Sequence, residues 1–333
     1  MKYRPLTAGG PRVSELGFGA SPLGGVYGVF ALQDGIGAVH AALDAGITFL
    51  DVSPYYGRTT AETVLGKALH GIGRESYVLA TKAGRNGDDD FDFSARSITR
   101  SVYKSLARLG VEYVDLIQCH DVEFGSLRQI TEETIPALRA LQEKGLAGAV
   151  GITGYPLPAL AYVAERAPVD TVMSYCQYTL QDRRLAAHAG AFTAAGAAVI
   201  NASPLAMGAL TARGAPSWHP AAPQVLARCE QAARACRERG ADLARLALQF
   251  SVATSARAAA VASTVVGSAS AAEVRRNVAW IGEPLDEDLL REVDAIMSPV
   301  RDHGWINGRP ENQDPRRVPP PVPSSAPSAG ART

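Results

Sequence analysis

Along most of this chain, short apolar runs ending in a polar residue or glycine alternate with longer stretches whose apolar positions recur at helical spacing. The runs predict strands at 16–19, 47–51, 77–81, 114–119, 148–152, 171–175, 198–203 and 261–266. Helices are predicted near 34–45, 61–70, 94–109, 126–144, 157–165, 181–195, 242–253 and 270–281. Ahead of the first strand, residues 3–16 suit a small hairpin turning at Ala8-Gly9-Gly10-Pro11. Two helices fall outside the alternation: 223–239, after a loop at 204–222, and one near 286–297.

Strand–helix alternation implies parallel pairing through crossovers. Eight such units close most naturally into a (β/α)8 barrel. The competing arrangement, a doubly wound open sheet, wants Gly-x-Gly-x-x-Gly entering the first helix. Here Gly17-Phe18-Gly19-Ala20-Ser21-Pro22 puts proline where the third glycine should be. The expected fold is therefore α/β, one barrel over 1–313. The tail at 314–333, rich in Pro, Ser and Ala, has little to bury and is expected to be disordered.

Composition narrows the function classes. At 333 residues and 47% hydrophobic, the chain can bury a large core. Its formal net charge is zero, with no long run of one sign, which argues against nucleic acid or an anionic membrane as partner. The start, MKYRPLTAGG, lacks the apolar core of a signal peptide, and no run of about 18 apolar residues could span a bilayer. The cysteines at 119, 176, 229 and 236 show no metal spacing, and Cys229 and Cys236 lie too far apart along a helix to bridge. A soluble, reduced, cytoplasmic protein without metal is expected, a monomer or weak homo-oligomer.

Three consecutive strands end in reactive polar residues. The second ends at Asp51; Pro54 then bars the ladder, and Tyr56 lies in the loop beyond. The third runs out of Thr81 into Lys82, the fourth out of Cys119 into His120 and Asp121. A lone strand-end acid commonly caps a turn, and a loop tyrosine commonly packs on a neighbour. Three neighbouring strands are another matter, because they lie about 4.8 Å apart and barrel active sites sit at their C-terminal ends. Asp51, Lys82 and His120 should share one patch, with Tyr56 reaching over it.

Such a set suits proton transfer by a phenol. Tyrosine titrates near about 10, and the Lys82 ammonium should lower that value. Asp51 would hold Lys82 charged, since a buried unpaired ammonium is costly. His120 would orient the substrate oxygen. A carbonyl or alcohol whose proton passes through Tyr56 needs a hydride partner, which no side chain supplies, so a nicotinamide is implied. Elsewhere the polar residues read as structural. His40, His70 and His188 fall on outer helices, and Asp88-Asp89-Asp90 lacks the glycine and distant glutamate of a calcium loop.

The set Asp51, Tyr56, Lys82 and His120 resembles the catalytic tetrad of the aldo-keto reductases, NAD(P)-dependent (β/α)8 barrels. The resemblance runs from about 12 to 312. It is carried by GFGASPLGGVYG (17–28), DVSPYYG (51–57), ATKAGR (80–85), CHDVEFGSL (119–127), GITGYPL (151–157), SYCQY (174–178) and ASPLAMGALT (202–211). These stretches are similar to the family's sugar dehydrogenases, implying oxidation at C1 of an aldose such as L-galactose, L-fucose or D-arabinose to a lactone.

The resemblance also implies a cofactor site. Gly19, Ala20, Asp51, Thr153, Ser174 and Tyr175 would surround the nicotinamide, with Tyr175 replacing the family's frequent glutamine. Ser203, Pro204, Leu205, Met207 and Gly208 would wrap the pyrophosphate. Gly267, Ser268, Ser270, Glu273, Arg276 and Asn277 would hold the adenosine end. NADP users of the family generally carry a basic residue near Gly267 or Glu273. Glycine and an acid there favour NAD, with Arg276 keeping NADP possible. Trp305 and Asn307, with Tyr56 and His120, would meet the sugar. An NADPH-dependent reductase of small aldehydes and a cofactor-sensing accessory subunit of a membrane channel are the alternatives.

Overall fold

In the computed structural model, which describes residues 1–28, 31–258 and 260–314, the chain opens with an antiparallel hairpin. Its strands are β1 (Tyr3–Pro5) and β2 (Arg12–Ser14). There follow β3 (Leu16–Gly19), β4 (Phe49–Asp51), β5 (Val78–Ala83), β6 (Val114–Cys119), β7 (Ala147–Gly154), β8 (Thr171–Tyr175), β9 (Ala198–Ala202) and β10 (Val261–Gly267). These eight are parallel and pair in chain order, with β10 closing onto β3. The barrel expected from the alternation is the fold. The tail at 315–333 lies outside the described residues.

The crossovers are α1 (Leu32–Asp44), α2 (Thr60–Leu69), α3 (Ala95–Leu109), α4 (Leu127–Gln129), α5 (Ile135–Glu143), α6 (Leu157–Ala164) and α7 (Arg184–Ala194). After β9 come both α8 (Pro223–Glu238) and α9 (Leu243–Ala258); α10 (Ala271–Gly282) and α11 (Glu287–Met297) follow β10. None of the described helices is long and apolar enough to cross a membrane.

Several boundaries differ from the sequence reading, and four of the differences have a local cause or consequence. β4 begins at Phe49 rather than 47, because the N–H of Thr48 goes to the Ser14 hydroxyl (3.0 Å). β5 continues through Lys82 to Ala83, pairing Lys82 with Gln118 of β6. The helix expected over 126–144 runs from Leu127 to Glu143 with a π-turn inside it at Ile130–Thr134, just before Pro136, whose ring nitrogen cannot donate to the preceding turn. The helix expected from 181 starts at Arg184, since Asp182 turns back to accept the N–H of Arg184 (3.1 Å).

Two apolar layers hold the barrel. The larger lies between strands and helices. The smaller fills the barrel itself with Phe49, Val78, Leu116, Met173, Ile200 and Val265, and Leu6 and Val13 of the hairpin belong to it. The hairpin is thus a plug at the N-terminal end, which leaves the C-terminal end for chemistry.

Candidate active site

Side chains alternate across a strand, so the interior apolar layer fixes which residues line the mouth. Phe49 faces inward, and so does Asp51 two residues on. Val78 and Ala80 lead to Lys82, and Leu116 leads through Gln118 to His120. The polar set is the top layer of the barrel's own core.

Lys82 is 1% exposed, and its Nζ donates to Asp51 Oδ2 (2.5 Å) and to the Val52 carbonyl (2.9 Å). The other Asp51 oxygen accepts from Gln118 Nε2 (3.0 Å). Burial alone would discharge both ions. Burial lowers the Lys82 pKa, but Asp51 and then Tyr56 outweigh it, so the ammonium is held above its ordinary value. Burial likewise pushes the Asp51 carboxyl up, against the pull of Lys82 and Gln118. The direction at Lys82 is the one its two short contacts support, and the pair is ionised.

Tyr56 stands over this pair, with Lys82 Nζ 4.9 Å from its ring centre. Its loop is fixed by close backbone contact: a Cβ on Gly57, at φ +60°, would come within 2.1 Å of the Gly24 carbonyl oxygen. Only glycine permits that approach. The Tyr56 phenol, however, is pushed above its ordinary value. Burial raises it more than Lys82 lowers it, and Asp51 and Asp121 add to the rise. This corrects the expected net downward shift: the ammonium pulls as anticipated, but desolvation is the larger effect.

His120 meets the Tyr56 ring edge-on (5.8 Å, 89°). Its Nδ1 lies 2.9 Å from Ser53 Oγ, which already accepts the N–H of Tyr55 (3.1 Å). Among the described residues Nδ1 is the one acceptor recorded for the Ser53 hydroxyl proton, so Ser53 donates to it and the ring proton sits on Nε2. Burial pushes the imidazole down to about 3, Lys82 and Arg85 assist, and Asp121 opposes; the ring is neutral at physiological pH.

A C-terminal strap closes the other side. Trp305 stacks on Tyr155 (4.2 Å, 18°), and Asn307 Nδ2 donates to Tyr175 Oη (2.9 Å) and Glu123 Oε1 (2.6 Å). Glu123 Oε1 also accepts the N–H of Tyr155 (2.9 Å), whereas its buried Oε2 has no partner. Burial and then Asp121 push this carboxyl up to about 8.

The residues expected to hold the cofactor divide into two groups. Ser203, Pro204, Leu205, Met207, Gly208, Gly267, Glu273, Arg276 and Asn277 line one cleft of about 960 Å³. Arg213, Arg276, Asn277 and the N-terminus of α10 give it donors that fit an elongated phosphate-bearing cofactor. The others stand off that lining and carry internal bonds. Gly19 pairs with Asp51 and Gly267, and Ala20 N–H donates to the Asp51 carbonyl (2.8 Å). Thr153 Oγ1 accepts the N–H of Asp121 (3.1 Å), and Ser174 Oγ donates to Gln177 Oε1 (2.7 Å). Ser268 accepts from Asn277 (3.2 Å), and Ser270 caps α10 by accepting the N–H of Glu273 (3.3 Å). Glu273 itself accepts the N–H of Ala269 (2.7 Å), a helix-capping contact beyond the specificity role expected of it.

Ser53, Gln118, Gln177 and Glu123 were not among the expected site residues. Gln118 carried a signal, an amide between Ile117 and Cys119 in a strand run; Glu123 and Ser53 carried none beyond the stretches CHDVEFGSL and DVSPYYG in which they lie. His40 and His188 bond the Ala68 and Arg184 carbonyls on the outer helices, and Asp88–Asp90 form an exposed turn. All four cysteines are free, and the described residues hold no metal-binding cluster.

Barrel and mouth together define a (β/α)8 fold that gathers a buried ion pair, a tyrosine and a neutral imidazole at one end. Residues 15–298 match the aldo/keto reductase family, and the chain belongs to that family of NAD(P)-dependent oxidoreductases. It is 43% identical to L-galactose dehydrogenase of Arabidopsis thaliana, over 94% of this chain and 99% of the relative. It is 28% identical to D-threo-aldose 1-dehydrogenase of a Pseudomonas species, over 86% and 94%. An aldo-keto reductase from Bacillus halodurans in its holo form superposes with a TM-score of 0.75 at 26% identity, over 94% of this chain and 99% of that one.

Proposed function

We propose that this protein is an aldose 1-dehydrogenase that oxidises C1 of L-galactose, or of a related aldose such as L-fucose or D-arabinose, to the lactone, with NAD the preferred cofactor. The observation that carries the reading is the end-to-end similarity to L-galactose dehydrogenase in a chain whose tetrad is assembled. The nicotinamide, when bound, supplies the hydride acceptor. Tyr56 takes the proton of the C1 hydroxyl. Lys82 stays charged through Asp51 and favours the phenolate as it forms. His120 donates from Nε2 to the substrate oxygen and, being neutral, does not compete for the proton. The strap of Trp305 and Asn307 shields the sugar from water.

The NAD preference rests on Gly267 and Glu273, an acid lining the cleft at the start of α10. Arg276 lies over the Trp280 ring (5.1 Å) and lines the same cleft, which keeps NADP possible as a second cofactor. The purified protein is mixed with NAD or NADP and a panel of free sugars, and reduced nicotinamide is followed by absorbance. L-galactose with NAD should give the highest kcat/KM. Turnover confined to NADPH with small aldehydes would replace this reading by a reductase, and an inert protein that binds cofactor would replace it by a sensing subunit.

A further inference from the structure

Asp121 stands beside the reacting end of the site and takes no part in the proton path. Its side chain is 6% exposed, with Oδ2 2.6 Å from Arg85 Nη1 and 3.7 Å from His120 Nε2. The second distance is too long for a hydrogen bond. The carboxylate and the imidazole N–H therefore present a donor and an acceptor side by side, to a ligand rather than to each other.

The placement is held against a cost. Asp121 adopts φ +53° and ψ 63°, a left-handed conformation unfavourable to a residue with a Cβ. It is held there by its N–H to Thr153 Oγ1 (3.1 Å) and by its carbonyl accepting from Phe124 (3.0 Å). Arg85 is itself fixed, its guanidinium 3.7 Å from the Tyr55 ring centre and 5.2 and 5.3 Å from the centres of Phe91 and Phe124, which stack on each other. A partner for Arg85 alone would not need a strained backbone next to the imidazole.

Resting on the aldose reading, we propose that Asp121 is a specificity-determining residue that accepts a hydrogen bond from the hydroxyl on the carbon next to the one oxidised. The 3.7 Å between His120 Nε2 and Asp121 Oδ2 is short enough for one substrate to meet both, the reacting oxygen on Nε2 and its vicinal hydroxyl on Asp121. A charged acceptor makes that contact strong. Without the sugar hydroxyl the carboxylate keeps only Arg85 on Oδ2 and a long contact from Thr153 Oγ1 on Oδ1 (3.5 Å), so a 2-hydroxyl adds a hydrogen bond that the site otherwise lacks. The site thereby selects 2-hydroxy aldoses over simple aldehydes and alcohols.

The test compares L-galactose with its 2-deoxy analogue in wild type, Asp121→Asn and Asp121→Ala, at saturating NAD. Wild type should favour the 2-hydroxy sugar by at least about 100-fold in kcat/KM. The preference should shrink about tenfold in Asp121→Asn and nearly vanish in Asp121→Ala; the ratio between the two sugars is the readout, whatever change in rate they share. Equal losses on both sugars would make Asp121 only a structural partner of Arg85 and overturn the assignment. Sugar turnover by wild type without discrimination would do the same while leaving the aldose reading intact. No turnover of any sugar would overturn that reading and this one together. Should Asp121→Ala fail to fold, the wild-type ratio and the Asn variant decide.

Discussion

At Tyr56 two effects of opposite sign meet on one oxygen: burial keeps the proton on the phenol, and Lys82 draws it off. Burial is the larger, so the phenolate is scarce at neutral pH and the oxidation rate should rise with pH into the alkaline range. Removing the charge with Lys82→Met leaves burial unopposed. The midpoint of the kcat–pH profile for sugar oxidation at saturating NAD should then move upward, with a lower rate at neutral pH. His120 adds a second expectation from the same curves. Its imidazole is pushed down to about 3, so no inflection from it should appear between about pH 5 and pH 7. A rising wild-type profile whose midpoint stays put in Lys82→Met would remove the role assigned to that lysine.

The elements that carry the tetrad were legible in the sequence because each is local. An apolar run ending in Asp51, or running out into Lys82, or closing before His120, announces both the strand and its polar end. The strap was not legible in the same way. Glu123 and Asn307 meet across 184 residues, and nothing near either predicts a buried carboxyl accepting from an amide. Nor could residue types reveal that desolvation outweighs Lys82 at Tyr56, since burial depends on closure of the whole mouth. The strap carries its own test. Glu123 has its folded value raised from 4.5 to about 8. For a raised acid the stability is fully present below the unfolded value and is lost as pH rises through the folded one. The neutral isostere Glu123→Gln lacks that loss. Its melting temperature relative to wild type should therefore climb between about pH 5 and pH 9, and a difference constant across that range would mean that Glu123 does not titrate there. Gly308 shows how tightly the strap sits: at φ +78°, a Cβ there would come within 2.5 Å of Glu123 Cγ.

Taken whole, the molecule separates stability from chemistry by the two ends of one barrel. The turn at Ala8–Pro11 made the hairpin foreseeable; that it plugs the barrel was not, because Leu6 and Val13 find the interior cluster only once β10 has closed onto β3. Leu6 is fully buried among Phe49, Val78 and their neighbours. Its truncation to alanine removes packed methyl groups and leaves a cavity, which costs about 2–5 kcal/mol. For a domain of this size each kcal/mol lowers the melting temperature by roughly 2–4 °C. Leu6→Ala should accordingly melt several degrees below wild type. Between the plug and the tetrad, however, lies the apolar layer of Phe49, Val78 and Leu116, on the same inward-facing rows as Asp51, Lys82 and His120. Close packing there holds the upper layer in place as long as the barrel is closed. At temperatures well below its transition, Leu6→Ala should keep wild-type kcat and KM for the sugar. A variant that melts early but works normally fits a plug remote from the chemistry. One that is folded yet several-fold slower would show that the hairpin sets the geometry of the mouth through that shared layer, and that the two ends are coupled.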